Sequence, residues 1–133
     1  MSKTVEQTVA FRAAPARLYD IYMDGRKHSA AIGGRAVVSR RVGGRFSAFG
    51  GMLEGRNLAL VPGHLIVQTW RGKDWPKREL DSILILAFSR ARGGGRIRLV
   101  HANVPDGRAA RIRRGWRKYY WTPWKAYLRR AGR

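Results

Sequence analysis

The sequence contains no cysteine, which excludes disulfide bonds, a thiol nucleophile and thiolate metal sites. Acidic side chains are scarce as well: 8 Asp and Glu residues stand against 28 Lys and Arg residues, which leaves a formal net charge of +20. Long apolar runs are also missing, since the longest, Ile83 to Phe88, is far shorter than the roughly 20 residues that cross a bilayer. The N-terminal segment lacks the continuous apolar stretch of a signal peptide. We therefore expect a cytoplasmic protein with no integral membrane association.

The length and the hydrophobic content predict a folded body beneath this charge. The chain has 133 residues, of which 44% are hydrophobic and 11% are aromatic. This length fits one domain with one substantial core, so we predict a single domain over residues 1–133, and a monomer. So many apolar side chains are not typical of a disordered basic tail. The positive charge must therefore lie on the surface of a folded protein, where it attracts polyanions.

The order of local patterns predicts one strand, two short helices and a series of further strands. Residues alternate between polar and apolar from Val5 to Phe11, Pro15 suits the first turn of a helix, and a second helix around residues 24–32 has Asp24 as its cap and ends at Gly33. Glycine-rich turns separate the later apolar segments, which predicts an antiparallel sheet of six or seven strands in all. The expected later strands are Ala36–Val42, Arg45–Phe49, Met52–Leu60, His64–Arg71, Ser82–Arg90 and Gly95–His101.

The C-terminal segment predicts a long basic amphipathic helix from about Ala109 to Arg129. Residues 107–133 include ten basic side chains and no acidic one. At 100° per residue, one broad apolar face contains Ile112, Trp116, Tyr119, Tyr120, Trp124, Ala126 and Tyr127. The opposite, basic face contains Arg111, Arg114, Lys118, Lys125 and Arg129. Pro123 removes one helical hydrogen bond and is expected to kink or divide this helix, and Trp121 falls on the polar side of the wheel without a physical explanation.

No arrangement of chemically reactive residues supports an enzyme. The histidines His28, His64 and His101 form no paired ligand motif, so no metal and no cofactor is expected. Glu79 and Asp81 belong to a polar loop, where solvated charge is the default explanation. No carboxylate pair is placed for acid–base catalysis, and no serine lies in a nucleophile motif. We therefore predict a protein without catalytic residues.

Four segments together resemble a known family. They are FRAAPARLYDIYMD (residues 11–24), GGRFSAFGG (43–51), LVPGHLIVQTWR (60–71) and HANVPDG with GWRKYYWTPWKAYL (101–107 and 115–128). Their order is similar to that of the activator of heat shock protein 90 ATPase homologue family, within the START-like (SRPBCC) superfamily. The resemblance covers nearly the whole chain. It implies an α+β helix-grip fold, in which an antiparallel sheet curves around the long C-terminal helix and leaves an apolar cavity between them.

The implied cavity gives a set of expected lining residues. Inward-facing positions on three strands and on the helix supply the expected set, which is Phe46, Ala48, Ile83, Ile85, His101, Trp116 and Tyr120. The Tyr120 hydroxyl would orient the head group of a ligand while apolar walls supply affinity. For His101 two interpretations stay open: it faces the cavity, or it is a hydrogen-bonded core histidine at the end of a strand.

The leading functional hypothesis is a non-enzymatic carrier or sensor of a small hydrophobic or lipid-like ligand, with a stress-related role implied by the family resemblance. A nucleic-acid-binding or co-chaperone-type protein that uses the arginine-rich surface is the alternative. Insertion of the basic helix into an anionic membrane surface and a cyclase or hydrolase activity are further alternatives with less support. Weak, non-specific binding of nucleic acid is expected from charge alone.

Overall fold

The computed structural model describes residues 2–131, which form one seven-stranded antiparallel sheet and a set of helices. The spatial order of the strands is β1-β7-β6-β5-β4-β3-β2. The chain therefore runs as a meander from β2 to β7. The first strand, β1, pairs with β7 and forms the sheet edge opposite β2. The strands are β1 (Ser2–Phe11), β2 (Val37–Val38), β3 (Arg45–Ala48), β4 (Leu53–Val61), β5 (Leu65–Gly72), β6 (Ser82–Ala91) and β7 (Gly94–Pro105). The predicted α+β helix-grip architecture is confirmed.

Two short helices, α1 (Pro15–Met23) and α2 (Gly25–Ile32), connect β1 at one sheet edge to β2 at the other. Pro15 lies in the first turn of α1, where its missing N–H costs no hydrogen bond. The Asp24 carboxylate accepts a hydrogen bond from the Lys27 backbone N–H at 3.0 Å and so caps α2, as predicted. Gly33 ends α2 with a φ of 69°, a left-handed conformation that favours glycine.

The strand predicted at Ala36–Val42 is wrong in its length, because β2 contains only Val37 and Val38. The buried side chain of Asn57 explains the early end. Its Nδ2 donates hydrogen bonds to the carbonyl oxygens of Ser39, at 2.8 Å, and Arg41, at 2.9 Å. The Asn57 side chain takes the place of a strand partner for the Ser39 carbonyl, and the Arg41 carbonyl, which also accepts from the Gly44 backbone N–H at 3.0 Å, belongs to the turn that leads to β3.

The core lies between the inner face of the sheet and the helices. On β6 the fully buried residues are Leu84 and Leu86, whereas Ile83 and Ile85 are only half-buried. Leu84 pairs with His101 and Leu86 with Leu99, both of which are also fully buried. Because neighbours along a strand point to opposite faces, Ile83 and Ile85 face away from the C-terminal helix. Their assignment to the inner face is therefore wrong.

The C-terminal helix extends from Ala109 to Ala131 in three parts. Helix α3 (Ala109–Gly115) continues into a π-helical segment (Trp116–Trp121), which leads into α4 (Thr122–Ala131). The π-helical segment ends just before Thr122 and Pro123, so the helix is divided near Pro123, as expected from the loss of a backbone donor. A wider turn at this point changes which side chains face the sheet.

The wider π-helical turn rotates the side chains about the helix axis relative to a continuous α-helix, which buries Trp121 and exposes Tyr119. In an α-helix residues i and i+5 lie about 140° apart, but a π-helical turn places them on the same side. The Trp121 ring accordingly stacks on Trp116, with ring centroids 5.5 Å apart, and only 3% of Trp121 is exposed. Tyr119 is 49% exposed. The placement of Trp121 on the polar side and Tyr119 on the buried face is therefore wrong, because the helical wheel assumed an uninterrupted α-helix.

Candidate functional site

An apolar pocket opens between the beginning of the C-terminal helix, the end of β5 and the turn before β4. Its volume is about 370 Å³. The lining residues are Phe49, Met52, Leu53, Trp70, Gly72, Asp74, Trp75, Arg108, Arg111, Ile112, Gly115, Trp116, Tyr119 and Tyr120. Six of these fourteen are aromatic, so a ligand in the pocket would contact mainly ring faces and edges.

The aromatic walls pack against one another and so hold the pocket in shape. Trp70 lies 5.8 Å from Trp75 and 6.3 Å from Trp116, measured between ring centroids. Trp116 lies 4.7 Å from Tyr120, and Phe49 contacts Tyr120 edge to face at 6.2 Å. All these contacts are within the range in which aromatic pairs attract each other.

Arg71 fixes the loop that supplies Trp75. Its guanidinium donates hydrogen bonds to the carbonyl oxygens of Pro76 and Glu79 and to the carboxylate of Asp81, at 2.7 to 2.9 Å. It also lies 5.7 Å from the Trp75 ring centroid, a cation–π distance. Arg71 is mostly buried, and its contacts therefore hold the loop between β5 and β6 that forms this wall of the pocket.

His101 connects two of the tryptophan walls through hydrogen bonds. The Trp116 indole N–H donates to His101 Nδ1 at 3.1 Å, and His101 Nε2 lies 2.8 Å from Ser82 Oγ. Ser82 Oγ in turn donates to the Trp70 carbonyl at 2.6 Å. These partners require a neutral ring with its proton on Nε2. Burial lowers the pKa of His101 to about 3, which agrees with the neutral form.

A second buried network holds Tyr120. The His28 ring donates through Nδ1 to the Tyr22 carbonyl at 2.8 Å, so Nε2 accepts from the Tyr120 hydroxyl at 2.9 Å. Burial lowers the pKa of His28 to about 4 and raises that of Tyr120 well above its ordinary value. The Tyr22 hydroxyl continues the network by donating to Gln68 at 3.1 Å. The Tyr120 hydroxyl is therefore engaged within the core.

Charged side chains lie only at the mouth of the pocket. Arg108 contacts the carboxylate of Asp74 at 3.4 Å and lies 5.8 Å from the Trp75 ring centroid. Arg111 also lines the pocket and is exposed. The interior surface is thus mainly apolar: His101 and the Tyr120 hydroxyl are engaged in the two buried networks, and the indole N–H of Trp70 is buried without a hydrogen-bond partner in the described residues.

Comparison with known proteins assigns the chain to a family. Residues 12–129 match the family model described as Activator of Hsp90 ATPase homolog 1-like protein, AHSA1. The chain belongs to this family. The AHSA1 relatives include an activator of 90 kDa heat shock protein ATPase homolog from Dictyostelium discoideum, 27% identical over 88% of this chain. Homolog 1 from Homo sapiens is 29% identical over 88% of this chain.

The AHSA1 chain spans about a third of the length of these curated relatives, since the matches cover 30% and 34% of them. A solved structure of an HSP90 activator from Plasmodium falciparum is similar over most of both chains. It superposes with a TM-score of 0.86 and 25% identity, covering 94% of this chain and 95% of that chain. The resemblance stated from the four sequence segments is confirmed.

The pocket of this AHSA1 chain includes two of the seven residues expected to line a cavity, Trp116 and Tyr120. Phe46, Ala48 and His101 are buried in the core but do not line it. The Phe46 ring lies over Gly55 on the neighbouring strand, which keeps it away from the pocket. His101 is a hydrogen-bonded core histidine. Ile83 and Ile85 are on the outer face, as described above.

Sequence reasoning missed Trp75, Gly115 and the contribution of the Gly72–Trp75 loop. The four-residue spacing of Trp116 and Tyr120 in the helix is visible in the sequence, but the approach of residues 72–75 to α3 depends on the Arg71 contacts and the Arg108–Asp74 pair. An isolated Trp in a polar loop was the available signal, because a large apolar side chain there needs a surface to cover it.

The five side chains of the basic face of the C-terminal helix lie in different surroundings. Arg111, Arg114, Lys118, Lys125 and Arg129 are all exposed. Arg111 lines the pocket mouth, while Lys125 lies 6.0 Å from the Phe11 ring centroid.

Among residues 2–131, no helix has both the length and the apolar character needed to cross a membrane.

Proposed function

We propose that this chain is a cytoplasmic, non-enzymatic binding protein that takes a small apolar or lipid-like ligand into the aromatic pocket. The observation that carries the proposal is the pocket itself, with a volume of about 370 Å³ and walls formed by Trp70, Trp75, Trp116 and Tyr120. Pockets of this size with mainly apolar walls and a few polar groups are typical of small-molecule sites.

The satisfied polar groups behind the walls support an apolar ligand. His101 and the Tyr120 hydroxyl are both hydrogen-bonded inside the core, so their polar atoms have partners without a ligand. Opening either network to bind a polar group would leave a buried donor or acceptor unpaired, which costs about 1–3 kcal/mol. A ligand that contacts only the ring surfaces avoids this cost.

Gly115 offers a direct test, because it lines the pocket on a helix. A Cβ added there would meet only Tyr119 Cδ2, at 3.7 Å, which is an ordinary contact distance. The substitution Gly115→Leu should fill the pocket while improving helix propensity by up to about 1 kcal/mol. The control Gly115→Ala gives a similar gain in helix propensity but leaves most of the space open.

Uptake of the neutral fluorescent probe N-phenyl-naphthylamine measures the outcome. We expect about one probe per chain in the wild type and in Gly115→Ala, and at least tenfold weaker binding in Gly115→Leu, because the leucine occupies the site. Circular dichroism should show that all three proteins are folded. Absence of uptake by the wild type, or equal uptake by Gly115→Leu, would contradict the proposal.

A co-chaperone-type function is the second candidate. It rests on the family and on the names of the relatives, which are activators of a 90 kDa heat shock protein ATPase. The experiment is a steady-state ATPase assay of that heat shock protein with increasing amounts of this chain. A saturable increase in ATP hydrolysis would support the second candidate, and no change at saturating protein would count against it.

A further inference from the structure

The pocket mouth carries more positive than negative charge. Asp74 is the single carboxylate among the lining residues that the structure describes, and it is already paired with Arg108 at 3.4 Å. Arg111, one helical turn further along α3, also lines the pocket and makes no ion pair within residues 2–131. The charges of Arg108 and Asp74 offset each other, so the Arg111 guanidinium is the cation that can pair with a ligand.

The one buried side-chain polar group of the described site that has no partner is a donor. The Trp70 indole N–H is buried and has no hydrogen-bond acceptor in the part of the chain that the structure describes. Arg111 contributes a planar fork of N–H groups. Two acceptors near the site are in use: the Asp74 carboxylate is paired, and His101 Nδ1 accepts from Trp116. A ligand that complements the site must therefore bring an acceptor.

We infer that the ligand is an amphipathic acid, with an apolar body in the aromatic pocket and one oxyanion group at the mouth against Arg111. This inference rests on the proposed function and specifies the chemical class of the ligand. A guanidinium pairs with a carboxylate, sulfonate or phosphate oxygen through charge-assisted hydrogen bonds, which are stronger than neutral ones. The formal net charge of +20 adds a long-range attraction for an anion.

Two fluorescent probes with the same apolar body separate the two proposals. N-phenyl-naphthylamine is neutral, and anilinonaphthalene sulfonate is the same aromatic amine with one added sulfonate. The neutral probe reports the pocket alone, whereas the anionic probe reports the pocket together with the charge at its mouth. Both are titrated into the full chain at low and at physiological ionic strength.

The variant Arg111→Gln should weaken binding of the sulfonate probe about threefold relative to the neutral probe, the effect of one partly exposed charge pair, because only the sulfonate can pair with the guanidinium. The matched control is Arg114→Gln, which removes the same charge from the same helix at an exposed position that does not line the pocket. It should leave both affinities unchanged. Higher salt should reduce the effect of Arg111→Gln because the contact lies at the surface.

The variant Asp74→Asn gives a result of opposite sign. It removes the only competing carboxylate of the described pocket and releases Arg108, so the sulfonate probe should bind about threefold more tightly relative to the neutral probe, whose affinity reports any change in the pocket wall that the Arg108–Asp74 pair supports. Equal losses in Arg111→Gln and Arg114→Gln, or no change of sulfonate affinity in Arg111→Gln, would overturn the inference although the neutral probe still binds. If neither probe binds the wild type, the proposed function itself fails.

Discussion

At the scale of single residues, two buried histidines form hydrogen bonds that connect the C-terminal helix to other elements. His28 connects α2 to Tyr120 of the C-terminal helix, and His101 connects β7 to Trp116 of the same helix. Each ring nitrogen has a partner that defines one neutral tautomer. Protonation of either ring would place a charge in the core, and protonation of His101 would also set an Nδ1–H donor against the Trp116 N–H donor, so both contacts depend on neutral imidazole.

The sign of the resulting pH dependence follows from the pKa values. Burial lowers the pKa from the ordinary 6.5 to about 4 for His28 and to about 3 for His101 in the folded protein. Between those values and 6.5, the unfolded state binds more protons than the folded state, so acid favours unfolding. The stability that the neutral rings contribute is fully present above pH 6.5 and is lost as the pH falls towards 4.

We therefore expect the free energy of unfolding to fall by up to about 1.4 kcal/mol per pH unit for each buried histidine in this window. The variant His28→Gln should make the dependence shallower, since one titrating ring is gone. His64→Gln, the same substitution at an exposed position, is the matched control. Urea unfolding followed by tryptophan fluorescence between about pH 7 and pH 4.5 measures it. A slope in His28→Gln equal to that of the wild type would contradict the neutral buried state.

At the scale of elements, the π-helical segment decides what the C-terminal helix presents to the sheet. It rotates Trp121 inward, where the indole N–H donates to Gln7 Oε1 at 2.9 Å. Gln7 Nε2 donates to the Arg113 carbonyl at 2.8 Å, next to the change of helix type. One side chain of β1 thus holds both the last turn of α3 and the tryptophan that the wider turn brings inward.

The variants Trp121→Ala and Tyr119→Ala test this rotation of side chains, in which Trp121 faces the core and Tyr119 faces solvent. With Trp121 buried against Trp116 and Phe11, its truncation should cost about 3–5 kcal/mol of unfolding free energy. Tyr119 is half exposed, so the same truncation there should cost about 1 kcal/mol or less. Urea unfolding gives both values. The opposite ranking would indicate a continuous α-helix, as the simple helical wheel assumes.

At the scale of the whole molecule, positive charge dominates the surface. Of the 28 cationic side chains, six form ion pairs within residues 2–131, all at least partly exposed. Exposed pairs of this kind contribute little stability. The other cationic side chains of residues 2–131 make no ion pair there and can interact with polyanions, an effect that should be general and sensitive to salt.

We expect labelled duplex or single-stranded DNA to bind weakly, without sequence preference, and to lose at least about tenfold in affinity between roughly 50 and 200 mM salt, because counterion release drives the binding. Replacing the exposed Arg114 and Lys118 by glutamine should weaken binding equally for all sequences and make the salt dependence shallower. Fluorescence anisotropy measures both effects. Tight binding of one sequence at physiological salt would show a specific nucleic-acid function instead.

The sequence by itself determined the elements whose signals are local. Pro15, Asp24 and Gly33 mark the boundaries of the two short helices through their own backbone chemistry and capping. The alternation in β1 and the turns rich in glycine define strands that, apart from the much shorter β2, differ from the prediction mainly at their ends. These features were predictable because each depends on residues that are neighbours in the chain.

Only the tertiary structure decided the orientation of β6, the phase of the C-terminal helix and the position of the pocket. The run Ile83 to Phe88 is apolar on both faces, so pairing with β7 selects Leu84 and Leu86 as the inner residues. Trp121 becomes buried because a π-helical turn and Gln7 on a distant strand favour it. The pocket forms where Asp74 and Trp75 meet Arg108 across more than thirty residues. Such contacts depend on long-range packing energies, which local patterns do not encode.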